Sequence, residues 1–303
     1  LQTALNQVDA THTTVKMLDG AYTSAVGASG TVRIHGDGAE LAPPDSATAA
    51  ITINDSTANV SILGLKVTRS PMAGTNSAIL CQAGTLRLQS VQITTPSSGV
   101  GMQCFGSVDQ TTFVGTTSVQ GFSLLSVTGQ GTPDKLTVTR SRFSGSAAIG
   151  TGLQGAATVT NCVFDNTGTH AIVTGGNAGQ MLVSVSTFVN SLINATKTTA
   201  GGFLVTVSDS VMFGTGATDV VTGGGGIYSY DLLTPQTASV GSDHLLLGVD
   251  PKLKDVANGD FHLTMTSPAI DAADPNTTLE VDFDGNPRPV GTARDLGAYE
   301  FKP

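Results

Sequence analysis

The 303-residue chain carries 14 Lys and Arg against 23 Asp and Glu, a formal net charge of −9. An acidic chain without a basic cluster repels phosphate backbones, which argues against nucleic acid as a partner, and no apolar stretch is long enough to span a bilayer as a helix. Charged residues make up only 12% and aromatic residues 5%, beside 37 glycines, so the surface must be covered by Thr, Ser, Asn and Gln, which suit narrow, tightly turned β-structure.

The chain opens at Leu1 rather than Met, as a chain does once a leader has been removed. Residues 1–12 read as an N-terminal cap: Leu1, Leu5 and Val8 stand at helical spacing, and a short amphipathic helix would cover the open end of a stack of strands. "TTVKML" at 13–18 is the first strand; a "DGAYTSAV" turn and a second strand follow. This opening resembles that of pectin-lyase-like right-handed β-helix proteins, whose first turns read as a strand, Gly-x-Tyr, then a strand ending in glycine turns. The resemblance covers about residues 1–230 at the level of fold and carries no catalytic motif.

From residue 60 the chain repeats. Val67, Ile93, Phe113, Phe143, Phe164, Phe188 and Met212 recur about every 24 residues. Five residues before each stands Ile62, Leu88, Val108, Val138, Val159, Val183 or Val207. Two residues before each, the column runs Leu65, Val91, Thr111, Ser141, Cys162, Ser186, Ser210 and never admits a charge. Seven before each stands Val60, Leu86, Gly106, Leu136, Ala157, Met181 or Val205. Strand side chains alternate strictly, so columns at −7, −5, −2 and 0 require one break of phase, a corner between −5 and −2. A period of this length with constant inward columns indicates a solenoid, not a β-sandwich. The expected fold is all-β: a single-stranded right-handed parallel β-helix over residues 13–249, with a short N-terminal capping helix and an irregular C-terminal cap over 250–303.

Outward positions on this ladder include Lys66, Arg87, Gln89, Asp109, Arg140, Arg142 and Asp209. Arg87, Gln89, Asp109, Arg140 and Arg142 fall on three successive rungs and form the candidate ligand-binding cluster, suited to an acidic sugar; a solvated polar face is the competing reading. Gly-His-Gly, Arg-Ile-Lys and pectate-lyase Arg-x-Pro-x-x-Arg phrases are absent, "RIHGDG" at 33–38 being the nearest string. Thr137-x-Thr139 and Thr158-x-Thr160 form a short threonine array that resembles ice-binding surfaces, but Leu182 interrupts it.

Cys81 and Cys104 lie 23 residues apart, about one rung, and either stack or form a disulfide; Cys162 reads as a small buried residue. The five histidines are scattered, and the glycine run at 223–226 lacks a phosphate-loop ending and reads as a wide corner.

Beyond residue 250 the text changes. Asp250-Pro251, Gly259-Asp260-Phe261-His262-Leu263, Ser267-Pro268-Ala269-Ile270-Asp271, Asp282-x-Asp284-Gly285-Asn286-Pro287-Arg288 and Asp295-Leu296-Gly297-Ala298-Tyr299-Glu300 occur in that order. These phrases resemble the C-terminal segment of bacterial choice-of-anchor Q domain surface proteins. The resemblance implies an exported bacterial protein displayed at the cell surface through a variable anchor. Asp282, Asp284 and Asn286 alternate around a glycine turn as candidate calcium ligands, although the twelfth position of a full EF-hand loop is Ala293. The competing reading is an Asx-rich turn, with Arg288 paired to one of these acids. Phe261, Leu263, Ile270 and Leu296 are expected to cover the end of the solenoid core, with Arg288 and Arg294 paired among Asp271, Asp282, Asp284 and Asp295.

The functional expectation is an exported or cell-surface scaffold or glycan-binding protein with a polysaccharide partner. The alternative is a polysaccharide lyase or glycoside hydrolase acting on an outward groove, and an ice-binding or other structural solenoid is the lesser one.

Overall fold

The computed structural model describes residues 1–70, 76–96, 99–116, 123–127, 136–145, 151–154, 156–174, 180–195, 204–214, 221–222, 226–234 and 242–303. The glycines at 223–225 therefore lie outside the described residues. The chain winds into a parallel β-helix with three faces. The first face is an 11-stranded parallel sheet that starts at Thr14–Lys16, continues through Thr31–His35, Asn59–Leu63, Thr85–Gln89 and Phe105–Asp109, and ends at Ser242–Asp243. The second face runs from Gly20–Tyr22 through Lys66–Thr68, Gln92–Thr95, Thr112–Gly115 and Arg142–Ser144 to Leu246–Leu247. The third starts at Val26–Gly27 and Ala49–Ile53. Val163–Thr174 and Thr187–Ala195 run on through the corner and join the second and third faces into one 18-stranded sheet.

Register confirms the inward columns. Val108, Val138, Val159, Val183 and Val207 stack in direct succession, none more than 2% exposed. Phe113, Phe143, Phe164 and Phe188 stack face to face, with centroids 4.6–4.7 Å apart and planes within 4°. The expected break of phase is a single residue three before each anchor. Ser90, Gln110, Arg140, Asn161, Val185 and Asp209 all have φ between 43° and 58°, and Gly64 takes the same place at 63°. One left-handed residue turns the chain and flips the side-chain alternation.

The polar column at −2 is explained by the same corner. Turning there leaves a backbone N–H facing the core, where it must find an acceptor. The Ser141 hydroxyl accepts from Thr111 N, Ser186 from Cys162 N and Ser210 from Ser186 N, each at 3.1 Å. Each hydroxyl also donates to the carbonyl two residues back. The buried Asp231 carboxylate takes the next position and accepts from Ser210 N and Ser229 N; burial raises its pKa well above the usual carboxylate range.

Cys81 and Cys104 form a disulfide across neighbouring rungs, while Cys162 is free and buried, its thiol pushed up to about 12 by burial. At the start of the chain the helix is a single turn, Gln2–Leu5. Leu5 is buried, and Leu1 and Val8 pack against the core. The Gln2 amide accepts from Gly27 N and donates to Gly27 O, so one side chain pairs the edge of the strand Val26–Gly27.

The C-terminal segment runs along the flank of the solenoid. A hairpin of Leu253–Asp255 and Asp260–Leu263 leads into irregular chain. Phe261, Ala298 and Tyr299 pack on Val163 and Val189, while Leu263, Ala269, Ala273 and Leu296 pack on Val211 and Leu232. These partners are outward residues of the second face. Phe261, Leu263, Ile270 and Leu296 therefore close a side of the helix where the sequence suggested its end. The reason is legible afterwards: from Val163 onward the outward positions of that face include Val163, Val189, Val211 and Leu232, which offer it an apolar seat. Asp209, expected to be outward, lies beneath this segment at 4% exposure. It accepts from Asp274 N and the Thr277 hydroxyl, and its carbonyl accepts from Gly297 N. Inside the segment Arg288 pairs with Glu300 at 3.5 Å and donates to the carbonyls of Asp295 and Gly297. Arg294 donates to the Leu279 carbonyl, so neither arginine forms the ion pairs expected for it.

Candidate functional site

Beside a shorter column of Thr31, Asn59, Thr85 and Phe105, the last 56% exposed, the outward residues of the first face form two long columns. One runs Thr14, Arg33, Ser61, Arg87, Ser107, Thr137, Thr158, Leu182, Thr206, Ile227. The other runs Lys16, His35, Leu63, Gln89, Asp109, Thr139, Thr160, Ser184, Ser208, Ser229. The columns divide by charge. Apart from Asp243 on the eleventh rung, the ionisable residues of these columns stand on the first five rungs, and the next five rungs are hydroxyls interrupted by Leu182 and Ile227.

Over the charged half lies a groove of about 440 Å³ lined by Arg33, His35, Ser61, Leu63, Arg87, Gln89, Ser107 and Asp109. Its walls come from four successive rungs, so its long direction is the solenoid axis. Arg33 and Arg87 share a column two rungs apart, about 9.6 Å at the spacing of paired strands. Arg87 donates to the Asn59 side chain, which steadies the guanidinium without neutralising it. Asp109 accepts from Arg140 at 2.7 and 3.1 Å and from the Thr139 hydroxyl at 2.7 Å. Arg140 thus neutralises the acid in the groove, leaving the charge of Arg33 and Arg87 in excess.

The structure divides the five candidates read from sequence. Arg87, Gln89 and Asp109 line one groove, and Arg140 stands at its border through Asp109. Arg142 belongs to the second face: it pairs with Asp165 at 2.6 Å and lies 5.2 Å over the Phe261 ring, with Gly259 O nearby. It fastens the C-terminal segment and does not reach the groove. Arg33, His35 and Ser61 were missed. For Arg33 and His35 the signal lay in "TVRIH" but was displaced, because the corner after His35 carries two extra residues and Ile34, not a residue at −5, pairs with Ile62; Ser61 on the regular rung had no charge to single it out.

Asp282, Asp284 and Asn286 are not brought together as ligands. Both Asp282 oxygens accept from Asn286, one of them also from Glu300 N. Asp284 turns to His262 Nε2 at 2.7 Å, while His262 Nδ1 meets Asp260 at 2.5 Å. Asn286 thus presents its backbone and side-chain N–H groups to Asp282, which clasps the turn from four residues back. Among the described residues no group of three or more His, Cys, Asp or Glu side chains is arranged to hold a metal ion. Burial alone would lower the His262 pKa, but its two carboxylate neighbours outweigh burial and raise it. Burial likewise opposes the shift of Asp260, yet hydrogen bonds from His262 and Lys254 bring it down to about 2.

No protein-family model matches the chain, and no curated protein matches it. Among solved structures it is similar to the crystal structure of pectate lyase Pel9A, with a TM-score of 0.61 at 14% identity over 99% of this chain and 90% of that one. At that identity the likeness concerns the fold, a parallel β-helix. Among the described residues no helix is long and apolar enough to cross a membrane.

Proposed function

We propose that this chain is an extracellular glycan-binding β-helix whose first face takes an acidic polysaccharide along the solenoid axis. The observation that carries the reading is the groove across four rungs with Arg33 and Arg87 in one column and Asp109 neutralised by Arg140. Guanidinium groups bind carboxylates through paired hydrogen bonds, and an open groove suits a polymer better than a small molecule. The disulfide supports an oxidising compartment, and the resemblance of the C-terminal phrases to choice-of-anchor Q segments favours display at a cell surface.

Cleavage of the bound chain is the second reading, favoured by the likeness in fold to a pectate lyase. One experiment separates the two. The protein is incubated with polygalacturonate, alginate and a neutral glucan, and both retention and new unsaturated or reducing ends are measured. Salt-sensitive retention of the uronans without new ends supports binding, and new ends support the lyase or hydrolase. Retention indifferent to salt, or to a double Arg33→Gln, Arg87→Gln change, would refute the groove as the site.

A further inference from the structure

The charged groove occupies only half of a continuous face. Past Asp109 the two outward columns run on through five rungs with no ionisable side chain before Asp243 on the eleventh, in a chain whose acidic residues outnumber its basic ones 23 to 14. Within that stretch Leu182 is 37% and Ile227 45% exposed. They share one column two rungs apart, about 9.6 Å, the same interval as Arg33 and Arg87. From Arg33 to Ile227 is eight rungs, about 38 Å. A ligand that enters the groove along the axis meets this second half next, because both halves are built from the same strands.

We infer that the face is bipartite and selects a glycan with two kinds of block: carboxylates over Arg33 and Arg87, and uncharged, less polar sugars over Leu182 and Ile227. This rests on the glycan-binding reading of the groove. A fully ionised polymer is a poor match for the second half. Its carboxylates would lose water against Leu182 and Ile227 without meeting a cation, and such desolvation is uncompensated. A methyl ester or neutral sugar in the same place keeps its hydrogen bonds to the Thr158 and Thr206 hydroxyls and covers the two aliphatic side chains. Specificity comes from what the second half rejects as much as from what the first half attracts.

The test uses the full chain and long galacturonan in two forms, fully ionised and with about half its carboxyls methyl-esterified in blocks, compared by calorimetry at one salt concentration. The parent is expected to bind the block-esterified polymer about tenfold more tightly, the gain of covering two aliphatic side chains. The double variant Leu182→Thr, Ile227→Thr changes exposed positions to the hydroxyl residue found elsewhere in the column without adding charge, and its melting temperature is checked against the parent. It should lose that preference while binding the fully ionised polymer no more than modestly less well. An equal affinity of the parent for both polymers, or a preference that survives the double variant, overturns the bipartite face. The Arg33→Gln, Arg87→Gln variant reports separately: if it still binds both polymers like the parent, the groove reading itself fails.

Discussion

Phe143 sits in the middle of the aromatic stack, between Phe113 at 4.6 Å and Phe164 at 4.7 Å, fully buried. Phe188 ends the stack, with one aromatic neighbour and Met212 on the next rung. Truncating either to alanine removes the same atoms from the same column and costs about 3–5 kcal/mol in transfer and cavity terms. Phe143→Ala additionally breaks two stacked pairs where Phe188→Ala breaks one. With each pair contributing about 0.5–1.5 kcal/mol beyond burial, the central change should exceed the terminal one by about that amount. The assay is urea unfolding followed by circular dichroism and by Tyr fluorescence, since a solenoid must be shown to unfold as one unit before a free energy is assigned. A Phe143→Ala, Phe164→Ala double variant completes the cycle and should be less destabilised than the sum of its singles. If Phe143→Ala proves no worse than Phe188→Ala and the cycle closes without coupling, the rings contribute as separate apolar plugs and the stacking argument is wrong.

Ser186→Ala should leave Cys162 N–H without an acceptor in the core and cost about 1–3 kcal/mol, whereas Ser184→Ala on the outward side should stay within about 0.5 kcal/mol, read by the same unfolding curves. Replacing Cys81 and Cys104 by serine should cost up to about 3 kcal/mol by loop entropy and make the melting temperature insensitive to reductant, which the parent's should not be. The C-terminal segment should hold more firmly near about pH 5 than near about pH 8, by proton linkage. Burial raises Asp295 from 3.8 to about 6, so the native state is penalised when this carboxyl ionises; the penalty is full above the folded value, lessens as pH falls through it and is gone only below 3.8. His262 is also raised, so its stabilisation is present below its unfolded pKa and lost as pH rises through the folded one. Asp260, lowered to about 2, stabilises above 3.8 and ceases to do so as pH falls through that lower value. Amide exchange at Gly297 and Ala298, corrected for intrinsic rates, should show the pH dependence, and His262→Gln should reduce it to the share of Asp295.

The inward ladder was legible in the sequence because it depends on neighbours in the chain alone. Side-chain alternation, one left-handed corner residue and a repeat of about 24 residues place Val159 or Phe164 inside whatever surrounds the rung. Even the small polar column at −2 follows from the corner, although its reason, an N–H in need of an acceptor, appears only once the corner conformation is known. The outward face was decided elsewhere. Arg140 and Arg142 are two residues apart, yet a corner between them sends one to Asp109 on the first face and the other to Asp165 and Phe261 on the second. Arg33 and Arg87 are 54 residues apart in sequence and about two rungs apart in space. The flank position of the C-terminal segment depends on apolar outward residues, Val163, Val189, Val211 and Leu232, contributed by four separate turns. Inside a solenoid each rung repeats the same local rule, so the sequence alone determines the core. What gathers on its surface depends on how many residues each corner spends, and only the stacked rungs in three dimensions decide that.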